Sequence, residues 1–247
     1  MNKHKCILAL LLPALIALMS PLRAQMVLSG TVEYERKMNV HAMNEGNSWF
    51  EKWKSKVPKF HSTYYTLIFD TGKSYFCAKP DNSNEGQNWW EETPAQANEV
   101  YTQFSTGRVT ALKTIYEKKF LIADSIRETV WKEKNEVRII AGYTCHKAVS
   151  IICDSVYVVA FYADDLPATG GPEMFAGLPG LILELAVPRL HTIWTAIKVT
   201  PGSPPPADFK IPTKGKLTKQ ADFFAQLKSS FKDWGADAAI SFWWCAL

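Results

Sequence analysis

The chain has little of what most enzyme signatures need. Its 247 residues include only 5 histidines and 5 cysteines, and no C-x-x-C pair sets two thiols at zinc-ligand spacing. H-E-x-x-H and G-x-S-x-G are missing, so the common zinc-protease and nucleophile-elbow signatures do not apply. G-x-x-x-x-G-K-[ST] and G-x-G-x-x-G are missing too, which removes the phosphate-cradling loops. Charge of one sign is scarce. Without Lys3, Lys5 and Arg23, the 28 basic residues become 25, against 24 acidic ones. A nucleic-acid partner, which wants a clustered basic face, is not indicated.

Long apolar runs are equally rare. The one that stands out, Cys6 to Met19, follows a basic start and precedes Ala24. Residues 1–24 read as a secretory signal peptide, and residues 25–247 as a single domain of an exported protein. No transmembrane segment is expected in the mature chain. Its remaining cysteines, Cys77, Cys145, Cys153 and Cys245, allow up to two disulfides or free buried thiols. Cys145 and His146 are neighbours on a predicted strand and point to opposite faces, so they do not share a metal.

Aromatics are plentiful, with 9 Trp and 13 Phe. Strand patterns dominate. Residues 26–40 alternate around Thr31-Val32-Glu33-Tyr34-Glu35, and a hairpin turns at Asp70-Thr71-Gly72-Lys73. From 98 to 163, short β-rich runs are separated by polar turns such as "EKNE" and "CDS". Strands this close leave no room for crossover helices, which predicts an antiparallel sheet. A helix is expected at 48–57, boxed by Ser48 and Glu51, with Trp49, Trp53 and Val57 on its buried face. A second is expected at 218–234, capped by Thr218, burying Phe223, Leu227, Phe231 and Trp234. The last ten residues would form an edge strand or pack beneath a helix. The fold class is therefore α+β, mainly β: a curved antiparallel sheet, half-barrel in its extreme form, with a short N-terminal and a C-terminal helix. Trp89-Trp90, on the polar loop 79–97, would either clamp a ligand or partner or fold back onto the core.

The stretch "GLPGLILEL" asks whether its glycines hold a ligand. Pro179 and Gly180 suit the centre of a type II turn. Leu181, Leu183 and Leu185 then share one strand face, and Ile182, Glu184 and Ala186 the other. Upstream, Asp164, Asp165 and Glu173 lie in a glycine-rich loop. With Glu184 they are the candidate catalytic residues, since paired carboxylates can share acid–base work. The alternative is a solvated loop whose acids serve turns and caps.

The segments "IIAGYTCHKA" and "VVAFYADDLPATGGPEMFAGLPGLILEL" resemble the GLPGLI family of exported bacterial proteins, with Gly177, Leu178, Pro179, Gly180, Leu181 and Ile182 as the structural motif. The likeness is strongest over residues 139–185. It departs at Phe161-Tyr162-Ala163, where the family carries Trp-Tyr-Thr. The resemblance implies an exported protein, in the periplasm or at the outer membrane of a Gram-negative bacterium, and implies no activity. Its layout is also similar to the half-barrel carriers of envelope lipoproteins. Three readings follow: a non-catalytic protein binding a hydrophobic ligand or an envelope partner; a hydrolase or metal-dependent enzyme using the loop carboxylates; a structural subunit of an outer-membrane assembly. No cofactor or metal is called for.

Overall fold

In a computed structural model, residues 26–80, 93–94 and 96–247 are described. The signal peptide expected at residues 1–24 and Trp89-Trp90 lie outside them.

The described residues build one open sheet of twelve strands. They are β1 (Gly30–Asn39), β2 (Phe60–Phe69), β3 (Lys73–Ala78), β4 (Glu99–Gln103), β5 (Arg108–Ile115) and β6 (Lys118–Ser125). The second half comprises β7 (Lys132–Ile140), β8 (Tyr143–Ile152), β9 (Val156–Ala163), β10 (Leu181–Val187), β11 (Thr192–Pro201) and β12 (Lys216–Thr218). The spatial order is β12-β6-β5-β4-β3-β2-β1-β11-β10-β9-β8-β7. All neighbours are antiparallel except β12 on β6. The expected mainly β architecture is thus present, and β1 against β11 joins its two halves. At the β7 end the sheet curls: β7 returns to within 8 Å of β11 although β8, β9 and β10 lie between.

The turns are where the pattern was misleading. "EKNE" is no turn. β7 runs straight through it, and a register slip between Lys134 and Val137 absorbs the extra residues. The chain reverses instead at Ala141 and Gly142, both at positive φ (48° and 88°), the geometry of a tight hairpin.

The helices are α1 (Val40–Met43), α2 (Ser48–Glu51), α3 (Gln220–Phe231) and α4 (Ala236–Ala246). The helix expected at 48–57 shrinks to α2 and a 3-10 turn at Lys54–Lys56. Asn47, not Ser48, caps it by accepting from the amides of Trp49 and Phe50. The early break moves Trp49 and Trp53 outward, where their rings lie 6.4 Å apart, and turns Phe50 and Val57 inward. α3 begins two residues later than expected, since Thr218 belongs to β12. Its first free amide, on Gln220, finds Asp124 Oδ2 of β6 at 2.9 Å, a cap no local motif reveals. Phe223, Leu227 and Phe231 are buried as their spacing predicts, while Trp234 lies past the helix end and is 43% exposed. The final residues form α4 rather than an edge strand, and its end is buried: Trp244, Cys245, Ala246 and Leu247 are at most 3% exposed.

Candidate functional site

Alternation in β1 sends Val32, Tyr34, Arg36 and Met38 inward, so one row of core side chains contains an arginine only 1% exposed. β5 repeats the anomaly. Lys113, also 1% exposed, shares its parity with Val109, Ala111 and Ile115. Neither cation was singled out from the sequence, although a charge at an apolar strand position was a readable signal.

Arg36 donates from Nε to Thr63 Oγ1 at 2.9 Å, and its guanidinium sits among the rings of Tyr65, Trp194 and Trp244, 5.5–5.9 Å from their centroids. Lys113 Nζ donates to the Cys245 carbonyl at 2.9 Å. Arg127, on the segment between β6 and β7, donates from Nη1 to the Ala246 carbonyl at 2.7 Å. The last carbonyls of α4, at the negative end of its dipole, thus rest on two cations. Burial pulls the Lys113 ammonium down to about 8; Glu173 works against this and Arg127 with it. Glu173 is the carboxylate of this interior, 3% exposed, accepting from Asn98 Nδ2 at 2.6 Å. Burial raises its pKa, against the pull of Lys113, the Asn98 hydrogen bond and Arg36. Its backbone stands at φ 56°, a strained position for a side-chain-bearing residue.

The four sequence candidates do not gather into one cluster. Asp164 is exposed and lies 3.8 Å from His146 Nε2. The Asp165 carbonyl accepts from the Val27 amide at 2.9 Å. Glu184 is only 8% exposed and accepts from Arg138 Nη1 at 2.9 Å and from Thr195 Oγ1 at 3.4 Å. Burial raises its pKa, partly offset by Arg138. Glu184 shares a cross-strand row with Phe161 and Thr195, while Arg36 sits in the next row with Trp194 and Leu185. Adjacent rows face opposite sides of a sheet. Glu184 therefore lies on one face, and Glu173, which interacts with Arg36, on the other. Among the described residues, no three His, Cys, Asp or Glu side chains are grouped to hold a metal.

The "GLPG" turn is also built differently from the expected type II form. The positive φ belongs to Gly177 (95°), whose amide bonds the Thr169 carbonyl at 3.0 Å, and not to Gly180. Gly180 is needed for space: a Cβ there would stand 2.1 Å from the Ala163 carbonyl oxygen. A bulge between Ile182 and Glu184 interrupts the alternation that follows, and Leu181, Ile182, Leu183 and Leu185 are all fully buried. Tyr34 Oη donates to the Ile182 carbonyl at 2.6 Å and holds the bulge.

A cleft of about 640 Å³ opens between the helices and the sheet edge. Phe224 and Phe231 of α3 and Phe242 and Trp243 of α4 form one side; Ile151, Ile152 and Cys153 and the segment 127–130 form the other. Arg127 belongs both to this wall and to the interior cations, so cleft and buried charge adjoin.

Comparison with known proteins adds fold and little else. A family model described as a protein of unknown function (Porph_ging) matches residues 151–184, a segment that includes the GLPGLI stretch. No curated protein matches. Two crystal forms of PNGF-II, in space groups C2 and P21, align with TM-scores of 0.53 and 0.54 at 14% identity, over 79% of this chain. This chain spans only 32% of theirs. An uncharacterised conserved protein from Thermus thermophilus aligns at TM-score 0.38 and 6% identity, over 80% of this chain and 95% of that one.

Proposed function

We propose that this is an exported, non-catalytic binding protein of the GLPGLI kind, with a half-barrel sheet and an apolar ligand held in the cleft between its C-terminal helices and the β8–β9 turn. The cleft carries this reading. Its volume falls within the roughly 300–1,000 Å³ of small-molecule sites, and four aromatic rings line it. The candidate carboxylates supply no competing centre, since Glu173 and Glu184 stand on opposite faces. The test is uptake of the neutral dye N-phenyl-1-naphthylamine by the purified protein, with native mass spectrometry of protein taken from its own envelope. Saturable dye binding that weakens in Phe242→Ser supports the reading. No dye uptake, together with a bare polypeptide mass, would end it.

The structural-subunit reading keeps one observation. β7 is an outer strand with Val137 and Ile139 exposed by 54% and 70%, a surface that suits a protein neighbour. A stable complex in the native spectrum, with no small ligand, would favour it. Among the described residues, no helix is long and apolar enough to cross a membrane.

A further inference from the structure

The cleft is not evenly apolar. Its wall includes the segment Arg127-Glu128-Thr129-Val130, which lies between β6 and β7 without strand pairing of its own. Three polar atoms of this short stretch are shielded from water and have no hydrogen-bond partner: Arg127 Nε, Arg127 Nη2 and Thr129 Oγ1. Two are donors and the third can be one. Unmade bonds at buried donors cost stability, so three on one wall call for an acceptor.

Charge points the same way. Lys228 of α3 also lines the cleft, its ammonium 5.6 Å from the Phe242 ring centroid. Arg127, Lys228 and Lys113 all act electrostatically on Cys153 of the lining, opposed there by Asp154. Lys232 lines the cleft as well. Two acids, Glu128 and Asp154, also line the cleft; they are exposed, as are Lys228 and Lys232, whereas Arg127 is the partly buried charge of the lining. Behind Arg127, the interior holds Lys113 and Arg36 against the single carboxylate of Glu173. The lining carries three cations against two exposed acids, and the shielded polar atoms of Arg127 and Thr129 lack partners beside an otherwise largely apolar surface.

We propose that the cleft takes a single-chain anionic amphiphile, its apolar chain against Phe224, Phe231 and Phe242 and its carboxylate or phosphate head on Arg127, Thr129 and Lys228. This rests on the reading of the cleft as a ligand site and adds the chemical class. A guanidinium that spends Nη1 on Ala246 still offers Nε and Nη2 along one edge of its plane, suited to two oxygens of one head group. Both nitrogens are closed to water as the chain stands. The head reaches them by parting the last turn of α4 from the 127–130 segment.

The test displaces bound N-phenyl-1-naphthylamine with dodecanol, dodecanoate and dodecyl phosphate at pH 7.5. Dodecanoate, dodecyl phosphate or both should displace the dye at concentrations at least tenfold below dodecanol. Which anion does so separates a fatty-acid source from a phospholipid one. Arg127→Gln should bring anion and alcohol within about threefold of each other, the loss falling mainly on the anions. Thr129→Val guards against a folding failure of the first variant. It removes an unpartnered hydroxyl at nearly constant shape, so the protein should keep or gain thermal stability while its preference for the anion falls. Equal displacement by alcohol and anions in the wild-type protein, or a preference unchanged in both variants, would overturn the assignment while leaving the cleft a ligand site. Absence of dye binding, together with a bare polypeptide mass, would instead remove the reading on which it rests.

Discussion

Lys113 Nζ lies 2.9 Å from the Cys245 carbonyl, so a side chain from the middle of β5 holds the last turn of α4 across 132 residues of sequence. The same ammonium interacts with Glu173 in an interior that water does not reach. Breaking such a buried arrangement from one side leaves its partners uncompensated. Lys113→Met should lower the unfolding free energy by roughly 3–5 kcal/mol at pH 7.

That deficit should vary with pH. The folded chain holds the Lys113 proton only up to about 8, against 10.5 for an unperturbed lysine. Between these values the unfolded chain binds more protons, so the lysine's contribution to stability increases as pH rises. The gap between wild type and Lys113→Met should widen from pH 8 to pH 10.5 by up to about 3 kcal/mol. Urea titrations at pH 7, 9 and 10 read it directly. A gap constant with pH would mean that Lys113 is not desolvated.

Glu173 behaves in the opposite sense. Its raised pKa means that the folded chain keeps the proton longer than the unfolded one as pH rises through 4.5. Stability is then lost on the way to neutrality. Glu173→Gln keeps an acceptor for Asn98 and carries no charge. It should be near neutral at pH 4 and more stable than wild type at pH 7.5. Combined with Lys113→Met it should recover part of that variant's loss, giving a coupling energy in a double-mutant cycle.

Two glycines of one motif should respond differently to alanine. Gly180→Ala drives a Cβ into the Ala163 backbone and should cost about 3 kcal/mol or more. Gly177→Ala meets only Trp131 Nε1 at 4.0 Å, so its cost is the positive φ, about 1–2 kcal/mol. Equal shifts in melting temperature would contradict this division.

The four cysteines of the described chain are free thiols. Burial pushes Cys145 and Cys245 up to about 12. Iodoacetamide on the native protein at pH 8 should leave both unmodified and reach Cys77 and Cys153 first, as peptide masses would show. A native disulfide in the peptide map would refute the free-thiol arrangement.

The β pattern was readable because alternation is a local property. Val32, Tyr34 and Met38 announce an inward face within β1, and the spacing of Phe223, Leu227 and Phe231 announces the buried face of α3. What local pattern misplaced were ends and turns. Asn47 outcompeted Ser48 for the same free amides, Asp124 capped α3 from another strand, and Gly177 took the backbone strain assigned to Gly180. Each of these depended on a geometry that neighbouring residues alone do not specify.

The candidate site shows the same division. Hydrophobic periodicity, a chemistry of single strands and helices, determined that this chain forms a large, mainly β sheet with helices packed against it. It also marked the glycine-rich stretch as structural. Only the tertiary structure decided which charges meet. Arg36 and Lys113 look like pattern errors in β1 and β5 until the interior joins them to Glu173 and the end of α4. Glu184 and Glu173, eleven residues apart in sequence, end on opposite faces: strand parity in β10 turns Glu184 away from Arg36, while the turn before the strand carries Glu173 to the side of Arg36.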